Sequence, residues 1–140
     1  MRTIAFFLLV LAGCSQSPSP SSTAGACDSD SDCIGGVCAR SGECAAVTEI
    51  QTVHVHWLIA GKPADASTCD AYPNLTVEFL TSPPPNNEPL LSFAPVPCIE
   101  GEFTADRIPT WFWIAGVRNR EAGMDVPIGA DGMARLDLPY

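Results

Sequence analysis

Positive charge is what this chain has least of. Its 140 residues carry 7 Lys+Arg against 16 Asp+Glu, a formal net charge of −9. Such a chain repels a phosphate backbone, which argues against nucleic acid as a partner. Histidine is scarce, with His54 and His56 the only two. The signatures G-x-S-x-G, H-E-x-x-H, G-x-x-x-x-G-K-[ST] and G-x-G-x-x-G are all missing. There is no C-x-x-C, so a thioredoxin-like redox centre lacks its motif. No stretch shows a 3.6-residue apolar period with caps, and 13 prolines and 11 glycines argue against a helical bundle. The expectation is therefore a protein that is not an enzyme and needs no cofactor. The length allows one ordinary domain plus a small module.

Against these absences stand seven cysteines and a patterned N-terminal sequence. Met1 and Arg2 make a short positive start, and residues 4–11 are wholly apolar. That run is too short to cross a hydrocarbon core of about 30 Å as a helix. It leads into Leu11-Ala12-Gly13-Cys14, which resembles the lipobox of bacterial lipoproteins at all four positions. The resemblance implies a signal peptide over residues 1–13, cleavage before Cys14, a diacylglyceryl thioether on its sulfur and an acylated amine, palmitate being a usual chain. Ser15, rather than Asp, implies sorting to the outer membrane. Two or three acyl chains make such anchoring stable, at roughly 0.8 kcal/mol per buried CH₂.

After Cys14, six cysteines remain: Cys27, Cys33, Cys38, Cys44, Cys69 and Cys98. An even number suits disulfides in an exported protein. Residues 14–26 read as the lipidated cysteine and a Ser/Pro linker with nothing to bury, expected to be a disordered tether. Residues 27–46 form a cysteine-dense segment of spacing C-x5-C-x4-C-x5-C, too short for a core of its own. Gly35-Gly36 and Ser41-Gly42 supply turns between its cysteines. Residues 47–140 read as a β domain. Val53, Val55, Trp57 and Ile59 alternate with Thr52, His54, His56 and Leu58; Leu75, Val77 and Phe79 with Thr76, Glu78 and Leu80; and later Ala134, Leu136 and Leu138 with Met133, Arg135 and Asp137. Short strands are expected near residues 90–93 and 101–104, and an apolar strand over 111–118. The fold class expected is all-β, a small antiparallel sandwich.

The cysteine segment resembles small exported disulfide modules. That resemblance implies the interleaved pairing Cys27–Cys38 with Cys33–Cys44; two separate loops, Cys27–Cys33 and Cys38–Cys44, are the alternative. Trp57, Gly61-Lys62-Pro63-Ala64, Cys69, Cys98-Ile99-Glu100-Gly101-Glu102-Phe103 and Ile108-Pro109, in that order, resemble the transthyretin-like and carboxypeptidase-regulatory-like β-sandwiches. Thr110-Trp111-Phe112 departs from their pattern, where Gly and Tyr are expected. Cys69 and Cys98 are the only cysteines of this domain, and a bridge between them closes a loop of about 30 residues.

Three constellations are candidate sites. His54 and His56, two apart on a strand, share a face about 7 Å apart and could share a Zn²⁺ or Cu²⁺ ion; the plainer reading is a polar strand face. Asp28, Asp30 and Asp32 resemble the start of an EF-hand loop, which then fails, because Cys33 takes the glycine position and Ala39 the position of the bidentate Glu. Trp111 and Trp113 share one face of the expected strand. The favoured reading makes them core, since a small sandwich needs aromatic volume; exposed, they would contact a glycan or a partner protein. Taken together, the residues lead us to expect a lipid-anchored outer-membrane lipoprotein, a binding or structural module of the cell envelope. Its partners would be the membrane, through the N-terminal lipid, and an envelope protein or glycan. The alternative is a metal- or calcium-binding envelope lipoprotein.

Overall fold

The computed structural model describes residues 26–82, 91–120 and 122–139. Cys14 and tether residues 15–25 lie outside them, while Ala26, the last tether residue, forms an antiparallel bridge with Glu43. The cysteine segment forms a two-stranded ribbon, β1 (Val37–Cys38) against β2 (Cys44–Ala45). The rest forms two four-stranded sheets. In the first, β3 (Ile50–Ile59) is central and pairs with β4 (Lys62–Pro63), β7 (Glu102–Pro109) and β10 (Met133–Leu138). The second has the order β6–β5–β8–β9, with β5 at Asn74–Leu80, β6 at Leu91–Pro97, β8 at Ile114–Arg118 and β9 at Gly123–Pro127.

Alternation explains the packing. Val53, Val55, Trp57 and Ile59 point inward from β3, meeting Leu75, Val77 and Phe79 of β5 and Ala134, Leu136 and Leu138 of β10. Trp57 is 2% exposed, and its indole N–H donates to the Cys98 carbonyl at 2.9 Å, which satisfies the one polar atom the ring takes into the core. All three disulfides form: Cys27–Cys38, Cys33–Cys44 and Cys69–Cys98. The first two are interleaved and hold the ribbon together where no core could. The third ties the β4–β5 connection to the short turn between β6 and β7.

Several expectations need correction. The β10 strand runs parallel to β3, with Met133 opposite His54 and Leu138 opposite Ile59. The chain reaches β10 by crossing over from the other sheet, so no hairpin forces antiparallel pairing. The apolar run 111–118 is not one strand: β8 begins at Ile114, and Pro109 to Phe112 is a turn closed by Phe112 N–H donating to the Pro109 carbonyl at 3.0 Å. The short strands expected near 90–93 and 101–104 are the longer β6 and β7. The β4 and β9 strands carry no strong alternation and were not anticipated. A Cβ on Gly116, in β8, would meet the Asp125 carboxylate and displace it from its place beside Arg118.

Strand β7 carries one extra residue. Gln51 pairs with Ile108 and Val53 with Ala105, so Asp106 and Arg107 together oppose one residue of β3. Arg107 takes a left-handed φ of 56°. A bulge of this kind re-aims side chains, and here both turn toward the ribbon module.

The turn before Cys69 is held by Asp65. Its carboxylate accepts from the Ser67 hydroxyl at 2.7 Å and from the backbone N–H of Ser67 at 2.7 Å and of Thr68 at 2.9 Å, while Cys69 N–H donates to the Asp65 carbonyl at 2.9 Å. The Ser67 hydroxyl, followed by the Thr68 and Ser67 N–H groups, lowers the Asp65 pKa from 3.8 to about 2. Because the folded value is depressed, this stabilisation is complete above 3.8 and is lost as pH falls toward 2. An NMR titration of the Asp65 carboxyl is expected to show a midpoint of about 2. A midpoint at the unfolded value would mean that the turn does not hold Cys69 in solution.

Candidate functional site

The outward face of the β3 sheet carries both histidines. Through the β3–β7 register His54 lies opposite Thr104 and His56 opposite Glu102. The parallel β10 register places Arg135 beside His56. His54 Nδ1 and Thr104 Oγ1 lie 2.9 Å apart, and His56 Nδ1 and Glu102 Oε2 3.5 Å apart. The result is a cross-strand row of carboxylate, imidazole and guanidinium. Beside it opens a hollow of about 610 Å³, lined by His56, Leu58, Pro63, Glu100, Glu102 and Arg135 among others. Leu58 is 42% exposed at its margin. The hollow thus combines an exposed apolar side chain with groups of both signs of charge.

The metal readings are placed plainly by this geometry. Among the described residues, the one set of three metal-capable groups lying together is Cys27, Cys33 and Cys44, and all three sulfurs are in disulfides. His54 and His56 share a face as expected, and Glu102 approaches one of them. Arg135 beside His56 opposes a second cation there.

Asp28, Asp30 and Asp32 do not converge as a calcium loop would. Asp30 accepts from Cys38 N–H at 3.0 Å and takes a two-pronged contact from Arg107, at 2.6 and 3.0 Å. The Cys38 N–H, followed by Arg107, lowers its pKa. Asp32 turns the other way and accepts the N–H groups of Asp28 at 3.1 Å and Ser29 at 2.9 Å, which lower its pKa together with the Ser29 hydroxyl. The Asp28 side chain is exposed. The Asp32 carboxylate thus holds a turn, and the Asp30 carboxylate docks the module.

The docking is reciprocal. Arg107 of the sandwich holds Asp30 of the module, and Arg40 of the module holds Asp106 of the sandwich, at 3.0 and 2.5 Å. Arg40 N–H also donates to the Arg107 carbonyl at 3.0 Å. A second hollow, about 410 Å³, lies in this seam between Cys27, Asp28, Arg40, Asp106 and Arg107.

The tryptophans were expected in the core and are not there. Trp111 is 42% and Trp113 45% exposed, while Phe112 between them is buried and in the core cluster. Leaving the strand conformation at Pro109 is what turns the two indoles out and Phe112 in. The Trp113 indole N–H donates to the Thr81 carbonyl at 2.7 Å, so its ring is held in place on the surface. Sequence reasoning missed Glu100, Glu102 and Arg135, which come from three elements and meet only through the register. It also missed Arg107, whose orientation depends on the bulge.

Comparison of the chain with protein-family models, with curated proteins and with solved structures finds no match.

Proposed function

We propose that this chain is a lipid-anchored envelope lipoprotein whose exported part is a non-enzymatic binding module. The observation that carries this reading is the pairing of all six cysteines after Cys14 into three disulfides. That pattern belongs to an oxidising compartment. It leaves Cys14, in Leu11-Ala12-Gly13-Cys14, as the one thiol with no partner in the scheme. A cysteine set apart at that motif is what lipidation requires. The β-sandwich would be of the transthyretin-like kind, and the outer membrane its address.

The part that meets a partner would be the hollow beside His56, Glu102 and Arg135. Its mixed charge and exposed Leu58 suit an envelope protein or a glycan. For the alternative metal-binding reading the supporting observation is the approach of Glu102 to His56.

Fractionation tests the anchor. The native chain is expected in the membrane fraction after carbonate washing, with acyl mass on its N-terminal peptide. Cys14→Ser is expected to abolish the acyl mass and release the chain to the soluble fraction. A Cys14→Ser chain that stays with the membrane after washing would overturn the reading.

A further inference from the structure

The two exposed indoles share an end of the sandwich with the point where the chain enters it. Thr110 N–H donates to the Glu49 carbonyl at 2.9 Å, which sets the Trp111 turn beside the Val47–Glu49 turn. Val47 is 66% exposed. Cys27 lines the seam hollow together with Arg107. Trp111 is four positions beyond Arg107, at most about 14 Å of chain. The chain therefore joins the folded part at the seam beside Thr52, two residues from the Ile50 end of β3, where the Trp111 turn lies, and six from Leu58. The hollow beside His56 lies toward the other end of β3. Leu58 is eight residues beyond Ile50, about 26 Å along the strand.

With Cys14 in the bilayer, twelve residues hold the folded part within about 40 Å of the headgroups. At that range a weak second contact with the same membrane becomes effectively intramolecular, with a local concentration in the millimolar range. Trp has an apolar body and a polar edge, which places it at the membrane interface. Loss of residues 1–13 removes Arg2 and no acidic residue, so the side-chain charge falls from −9 to −10. That charge disfavours an anionic lipid surface and leaves a zwitterionic one.

We infer that Trp111 and Trp113, with Val47, form a second membrane contact that seats the tether end of the sandwich in the headgroup region of the bilayer holding Cys14. The inference rests on the lipid-anchored reading above. It adds an orientation: the hollow of His56, Glu102 and Arg135 faces away from the lipid.

The test uses the mature lipidated chain in zwitterionic phosphatidylcholine–phosphatidylethanolamine vesicles, with and without bromine-labelled acyl chains. Flotation is measured alongside tryptophan emission. Trp57, 2% exposed in the core, is the internal control. Emission of the native chain is expected to be quenched by the brominated lipid. The quenching is expected to be reduced in Trp111→Phe and lost in Trp111→Phe/Trp113→Phe, with circular dichroism unchanged in both. A chain that floats while its emission ignores the brominated lipid keeps the anchor and overturns this inference, returning the indoles to a glycan or protein partner. A chain that does not float overturns the anchored reading and this inference with it.

Discussion

Converting both Cys69 and Cys98 to alanine is expected to lower the unfolding free energy by about 3–4 kcal/mol. The two residues are 29 apart, against 11 for each pair in the ribbon module. The longer loop removes more entropy from the unfolded chain. The bridge is also well placed in the native state, since both cysteines belong to the buried cluster and the Trp57 indole bonds to the Cys98 carbonyl. A domain of this size has roughly 5–15 kcal/mol in total, so the loss is a large fraction. Urea unfolding of the native and double-alanine proteins measures it. The midpoint should fall, and the slope should rise as the unfolded chain expands. An unchanged midpoint would mean that the β4–β5 connection is held by the Asp65 turn and core packing alone.

The second large effect is expected at Arg118. Its guanidinium lies on the outer side of the second sheet, between Glu78 of β5 at 2.5 Å and Asp125 of β9 at 2.6 Å. The two carboxylates are only 13% and 15% exposed, and the guanidinium 31%. Burial works against the guanidinium charge, but the hydrogen bond to Glu78 and the charges of Asp125 and Glu78 outweigh it, so its pKa is raised. Arg118→Met keeps most of the stem and removes the cation, leaving two nearly buried carboxylates facing each other across Gly116. Breaking a fully buried pair costs about 3–5 kcal/mol; with Arg118 partly in water the expected loss is about 2–3 kcal/mol. A double-mutant cycle with Glu78→Gln separates charge from packing. If the loss is electrostatic, Arg118→Met costs less in the Glu78→Gln background. Equal costs in both backgrounds would assign the loss to packing of the stem.

The fold class was legible because alternation survives wherever one sheet face is buried. The inward residues of β3, β5 and β10 are those that the period of two selects. The strand β9, Gly123-Met124-Asp125-Val126-Pro127, fails that test because no residue in it is buried. It pairs by its backbone with β8 and lends Asp125 to Arg118. The run 111–118 misled for the opposite reason. Its apolarity is continuous, so composition alone does not show that the chain turns at Pro109 and swaps which rings face water. The histidine pair was visible from spacing. Its neighbours Glu102 and Arg135 were not, because cross-strand partners follow from register, and the parallel β10 pairing has no local sign. The module's role was half visible: four cysteines announce a stapled unit, but only the extra residue in β7 shows where it docks.

That interleaved stapling has a mechanical consequence. On the proposed lipid-anchored reading, tension from the N-terminus would enter at Cys27, and one path for it runs through the disulfide to Cys38, then along the chain to Cys44 and into β3. A second path of equal chain length runs from Cys27 along residues 28–33 and through the Cys33–Cys44 disulfide, and on it lies Asp30, which grips Arg107. The two contacts between module and sandwich, Asp30 with Arg107 and Arg40 with Asp106, would therefore sit one on each branch and share the load. The strand that receives the pull is the one flanked by both β7 and β10, so it would have to slide against two neighbours at once before the sandwich could open.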